Sequence, residues 1–257
     1  MKRIRFGHIW IDSLTFAGAL DEIERLVDAG AGGAVFTPNV DHVVQAESDA
    51  AFRDAYARAS LSLVDGQPLL WASRLLGLPL PEKISGADLV APLLERAGRR
   101  GWRVFLVGGM PGSANAVAKR FAASCGVQVA GVEDGRVDLA PGPLDEALLA
   151  RIAEARPNLI LVALGAPKQE LWIAARRARL APAVSLGIGA ALDFAAGAVR
   201  RAPPWMRRTG LEWLYRLAQE PRRLAGRYLR DDPKFLAVLL RTWRSPPETR
   251  RIGSWPA

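Results

Sequence analysis

Sulfur and imidazole are scarce in this chain of 257 residues: Cys125 is its one cysteine, and His8 and His42 are its two histidines. A single cysteine excludes an intrachain disulfide and a thiolate metal cluster. Two histidines make a zinc site a poor expectation. Half of the residues are hydrophobic, yet no run approaches the roughly 18 uninterrupted apolar residues of a membrane span. The opening stretch MKRIRFGHIWID is basic but holds no apolar core of signal-peptide length. These absences lead us to expect an intracellular protein. Two motifs are missing as well. There is no Asp-x-Asp pair, and no G-x-G-x-x-G with an acid about 20 residues on, which counts against a nicotinamide-linked oxidoreductase.

What is present is unevenly placed. The net charge is +9, and residues 200–257 hold 14 Lys or Arg against five Asp or Glu, whereas residues 1–199 hold 21 of each. The whole excess therefore sits in the C-terminal fifth, with half of the eight tryptophans (Trp205, Trp213, Trp243 and Trp255) and with Tyr215 and Tyr228. The composition break at Arg200-Arg201-Ala202-Pro203-Pro204 predicts a main domain over 1–199 and an appendage over 200–257.

Within the first part, short apolar runs alternate with helical periodicity. Strands are expected at Ala34–Phe36, Leu61–Val64, Trp102–Val107, Val127–Ala130, Leu159–Leu164 and Ala183–Leu186. Helical text runs over 40–59, from a Ser85 cap with Asp88 in the first turn, and over 113–123, 144–155 and 168–179. Strands alternating with helices of this length predict an α/β fold, a mainly parallel sheet covered on both faces.

Ligands of such sheets collect outside the carboxyl ends of the strands, and four of those exits are suspicious. Phe36-Thr37-Pro38-Asn39 is a polar turn after an apolar strand. Leu61-Ser62-Leu63-Val64 empties into Asp65-Gly66, either plain turn chemistry or a base held over a crevice. VFLVGGMPGS places Gly108, Gly109 and Gly112 between a strand and a helix start, where backbone N–H groups can approach a phosphate. LGAPKQELW places Gln169 in a first helical turn after Pro167.

TPNVDHVVQA, LVDGQPLLWASRLLGLPLPEKISGADL, VFLVGGMPG, LGAPKQELW, GIGAALDF and RAPPWMRRTGLEWLYRLAQEPRRL occur in that order. From about Gly7 to Trp243 the chain thereby resembles the WecG/TagA/CpsF glycosyltransferases. The resemblance implies a Rossmann-like sheet and a peripheral enzyme at the cytoplasmic face of the membrane. It implies an inverting transfer from a UDP-sugar to a polyprenyl-diphosphate-linked saccharide, with no cofactor and no catalytic metal. Carried over by position, it makes Asp65 the general base, puts Thr37, Asn39 and Gln169 around the reacting sugar, and puts Asp193 near the nucleotide. Lys83 would face the phosphates, as a point charge rather than a bidentate fork. In relatives the appendage also covers the active site, which nominates Arg216, Arg222 and Arg223 for the diphosphate. The donor sugar stays open among N-acetylmannosamine, its uronic acid and glucose, as does the oligomeric state, monomer or homo-oligomer.

The residues fit this chemistry independently. One carboxylate can take the proton from an attacking hydroxyl, and arginines with helix dipoles can neutralise a leaving diphosphate. The tail interleaves Arg with Trp, Leu and Tyr, as helices lying in an anionic membrane interface do. Nucleic acid is the poorer expectation for it, since no recognised binding motif accompanies the charge. Other readings stand beside these: Asn39 as a helix cap, Asp193 as an ion-pair partner, His42 as a surface or packing residue, and the whole chain as a non-catalytic UDP-sugar-binding module docked on a membrane.

Overall fold

A computed structural model describes residues 2–135, 137–138 and 140–252, with the side chains of Arg223, Pro247 and Ile252 outside the description. The chain opens with an antiparallel hairpin, β1 (Arg3–Phe6) and β2 (Ile9–Asp12), turned at Gly7-His8. Six parallel strands follow: β3 (Gly33–Phe36), β4 (Leu61–Ser62), β5 (Arg103–Gly108), β6 (Gln128–Asp134), β7 (Leu159–Ala163) and β8 (Val184–Gly187). They form one sheet in the order β4-β3-β8-β7-β5-β6. The expected strands are all present, β4 being shorter and β6 longer than the apolar text suggested.

Helices α1 (Phe16–Ala29), α2 (Val40–Ser48), α3 (Ala50–Ala57), α4 (Gln67–Leu75), α5 (Gly86–Arg100), α6 (Ser113–Cys125), α7 (Pro143–Ala155), α8 (Lys168–Leu180) and α9 (Ala191–Ala196) cover the sheet. The helical text over 40–59 is two helices, because Asp49 stops the first and caps the second through the Phe52 N–H at 3.0 Å. Ser85 caps α5 as expected, accepting from the Asp88 N–H.

Strand side chains alternate between two cores, which is why the strands read as unbroken apolar runs. Phe36, Phe105, Val107, Ile160 and Val162 face one cluster. Val35, Val104, Leu106, Leu159 and Leu161 face the other. A buried Arg3–Asp12 ion pair at 2.5 Å ties the hairpin down, with Asp12 also accepting from the Ser62 N–H of β4 at 2.7 Å.

The last fifth of the chain is helical: α10 (Pro204–Arg208), α11 (Glu212–Gln219), α12 (Pro221–Gly226) and α13 (Phe235–Arg244), then β9 (Arg251–Ile252), which adds to β1. No described helix is long and apolar enough to cross a membrane. Phe235 and Val238 of α13 are buried in the first cluster with Phe6 and Ile9. Burial of that kind stabilises by about 1.5–3 kcal/mol per side chain. The exposed Arg241–Glu47 pair at 2.6 Å contributes about 0.2–1 kcal/mol at most. Apolar packing therefore holds α13 down, and the ion pair only orients it.

Candidate active site

Strands β5 and β7 are neighbours, but the chain leaves β5 toward β6 at one edge and β7 toward β8 in the opposite direction. That reversal opens a crevice at the carboxyl ends of the strands. A cleft of about 1100 Å³ lies there, roofed by the tail. Five strand exits line it: Thr37 and Asn39 after β3, Asp65 after β4, Gly109 and Met110 after β5, Gln169 after β7, and Ile188 to Ala191 with Asp193 after β8. Lys83 and Arg216 line it too.

Asp65 hangs off the short strand β4, its own N–H donating to Pro38 O at 2.8 Å. Gly66 follows at φ 95°, a left-handed conformation that lets the chain swing straight into α4. No described residue donates a hydrogen bond to the Asp65 carboxylate. Burial lifts its pKa to about 6; Glu212 and Asp88 push it further up, while Lys83 and His42 pull it down. An unengaged carboxylate tuned close to neutrality is what proton abstraction requires.

Around it runs a charged ring. Asp88 receives Arg201 at 2.6 Å and lies 3.6 Å from both Lys83 and Arg207. Glu212 of α11 receives Arg201 at 3.1 Å and Lys83 at 3.4 Å. Burial opposes ionisation of Asp88, but the hydrogen bonds from Arg201 and Ser85 and the charges of Arg201 and Lys83 outweigh it and bring the carboxyl to about 2. Arg201 and Arg216 also stack over Phe194, 6.0 and 5.8 Å from its centre. Arg227 reaches Asp41 at 3.0 Å and Asn39 at 3.4 Å. Among the described residues no three His, Cys, Asp or Glu side chains gather as around a metal ion.

The opposite wall is a polar network rather than an ionic one. Asn39 caps α2, accepting from the His42 N–H at 3.4 Å. Thr37 donates to Gly187 O at 3.4 Å. Gln169 accepts from the Gly189 N–H at 2.9 Å and donates to Glu170 at 2.8 Å. Asp193 accepts from the Met110 N–H at 2.7 Å and so fixes the glycine turn against β8.

Several expected site residues sit elsewhere. Gly108 is part of the β5–β7 ladder, where a Cβ would lie 2.7 Å from Ala163 O. The Gly112 N–H is already taken by Asp134 at 2.7 Å, and Asp134 also accepts from Ala114 N and Asn115 Nδ2. The start of α6 is thus filled by a protein carboxylate, and of the three glycines only Gly109 lines the cleft. Arg222 is exposed and outside the cleft lining, and the Arg223 side chain lies outside the described residues. His42, expected at the surface or in packing, is buried in the cleft wall, stacked on Phe52 at 5.7 Å. Sequence reasoning also missed Arg201, Arg207 and Arg227. The run RRAPPWMRR advertised cations without saying which would turn inward.

The sequence as a whole agrees with this geometry. Residues 4–249 match the family model described as Glycosyl transferase WecG/TagA/CpsF family. The chain is 32% identical over 225 residues to an N-acetylglucosaminyldiphosphoundecaprenol N-acetyl-beta-D-mannosaminyltransferase of Bacillus subtilis (strain 168), covering 86% of this chain and 85% of the relative. A protein of the same description from Bacillus spizizenii is 31% identical over 229 residues, 88% of this chain and 86% of the relative. The chain belongs to the WecG/TagA/CpsF glycosyltransferase family.

Proposed function

We propose that this protein transfers a sugar, N-acetylmannosamine by analogy with the relatives' names, from a UDP-sugar to a polyprenyl-diphosphate-linked N-acetylglucosamine. The observation that carries the reading is Asp65: an unengaged carboxyl lifted to about 6 in a cleft shared with Lys83, Arg201, Arg207 and Arg216. In the reaction, the acceptor hydroxyl oxygen bonds to the anomeric carbon from the face opposite UDP. The anomeric carbon–oxygen bond breaks, its electron pair leaves with UDP, and the hydroxyl proton passes to Asp65. Attack from the opposite face inverts the α-linked donor to a β product.

The cationic wall supplies the charge that the departing diphosphate needs, so the step runs without a metal or other cofactor. Lys83, Arg201 and Arg207 are held by Asp88 and Glu212 in the cleft, and a diphosphate would compete for the same cations. Outside the cleft lining, Trp205, Leu240 and Trp243 are each more than half exposed. Exposed aromatic and aliphatic side chains among arginines suit the cytoplasmic face of an anionic membrane, where a polyprenyl acceptor must be met.

Labelled UDP-N-acetylmannosamine and a lipid-diphosphate N-acetylglucosamine provide the test. Transfer by the native chain, abolished in Asp65→Asn, supports the reading. UDP-sugar binding with no product from any donor would replace it with a non-catalytic binding module.

A further inference from the structure

Two amide side chains of the cleft have their oxygens committed to protein donors. Asn39 Oδ1 accepts from the His42 backbone N–H and from Arg227, each at 3.4 Å. Gln169 Oε1 accepts from the Gly189 N–H at 2.9 Å. A backbone N–H needs an acceptor, so each amide has one satisfactory orientation; the Asn39 NH2 group is then left over, and the Gln169 NH2 keeps one N–H beyond the one it gives to Glu170.

His42 and Glu170 stand between these two amides. His42 Nδ1 lies 2.7 Å from Asn39 Oδ1 and 3.2 Å from the Asn39 backbone nitrogen; its Nε2 has no hydrogen-bond partner among the described residues and faces Glu170 Oε1 at an ion-pair distance of 3.5 Å. That same carboxylate oxygen accepts from Gln169 Nε2 at 2.8 Å. Glu170 has no solvent exposure, and its second oxygen has no hydrogen-bond partner among the described residues. Burying a carboxylate this incompletely partnered is unfavourable. Packing alone gives no reason for it, since a neutral side chain of the same shape would fill the space.

We propose that His42 and Glu170 are positioning residues that hold Asn39 and Gln169 with their N–H groups offered to the cleft. That wall then receives hydrogen-bond acceptors, namely the hydroxyl and N-acetyl carbonyl oxygens of the bound sugar. The inference rests on the proposed function for the identity of that ligand.

Alanine at position 42 would leave a hole beside Phe52 and Tyr56, so the test uses amides. In His42→Asn the new side-chain nitrogen falls where Nδ1 stood and keeps the arm to Asn39. In His42→Gln it falls where Nε2 stood and keeps the arm to Glu170. Each is combined with Asn39→Ala and with Gln169→Ala in the full chain, and melting temperature, kcat and KM are measured. We expect His42→Gln to lower kcat/KM about tenfold alone but less than about twofold in Asn39→Ala, because the residue it positions is gone. His42→Asn should show the mirror pattern, its loss disappearing in Gln169→Ala and persisting in Asn39→Ala. Equal losses in every background, tracking the melting temperature, would overturn the dyad. If the native chain transfers no sugar, the functional reading fails instead, and the same cycles are read as Kd for UDP-N-acetylmannosamine, with the crossed pattern supporting the dyad and its absence overturning it.

Discussion

The two walls of the cleft are built on different physics. The sheet wall holds Thr37, Asn39, His42, Gln169 and Glu170 through hydrogen bonds of 2.7–3.4 Å to backbone and to one another. The tail wall holds Arg201, Arg207 and Arg227 by ion pairs to Asp88, Glu212 and Asp41. Hydrogen bonds of the first kind are fixed before a ligand arrives, and lose value if shifted by an ångström. Ion pairs that face a cleft are exchangeable, since the diphosphate of the proposed donor would offer the same arginines an equal or better partner. On the proposed function, the rigid wall would choose the sugar and the exchangeable one would handle the charge.

The sharpest break in this contrast comes from the carboxylate between the walls. Asp65→Asn should lower transfer by about 10²–10⁴-fold, the usual contribution of a positioned general base, with UDP affinity preserved. The same variant should melt higher than the native chain above pH 7 and equally below pH 4. The sign follows from the raised pKa: the folded state favours the protonated acid, so stability falls as pH rises from about 4 through about 6. Thermal melts at three pH values check this.

A second effect belongs to the tail wall. Arg207→Ala should raise the donor KM about tenfold or more, in keeping with the loss of a charge-assisted contact, while a donor analogue lacking one phosphate should lose less. Should both donors suffer equally, the arginine does not serve the diphosphate. Third, the triple variant Trp205→Ser, Leu240→Ser, Trp243→Ser changes only exposed residues outside the cleft lining. It should shift the chain off anionic vesicles in a flotation assay by about tenfold while leaving the melting temperature unchanged. Deleting the whole tail is a poorer test, because Phe235 and Val238 pack against Phe6 and Ile9. Phe235→Ala alone should cost about 3–5 kcal/mol of stability in a denaturant titration.

This division also explains what could be read in advance. Strands buried on both faces announce themselves as apolar runs, so β3 to β8 were legible, and with them the strand exits that carry Thr37, Asn39, Asp65 and Gln169. The hairpin was not, although Ile4, Phe6, Ile9 and Ile11 alternate around Gly7-His8 with the period of two that marks a half-buried ribbon. The tail wall was legible as charge and illegible as geometry. Whether an arginine turns inward depends on distant carboxylates: Arg201 is claimed by Asp88, 113 residues away, while Arg222 meets none among the described residues and stays exposed. The glycine turn misled for a related reason. Its glycines serve close backbone approach at Gly108 and a cap supplied by Asp134 at Gly112, and neither partner is adjacent in sequence. His42 shows the limit of the bland reading, since a lone histidine on helical text gives no sign that a buried glutamate waits 128 residues further on.

The most direct measurement is the pH dependence of kcat/KM, which reports ionisation in the free enzyme. An acid limb with an apparent pKa near 6, moving down when Glu212→Gln removes one of the charges that hold Asp65 up, is the predicted result. A limb at the ordinary carboxylate value near 4, or one that ignores Glu212, would contradict the assignment of Asp65 as the base.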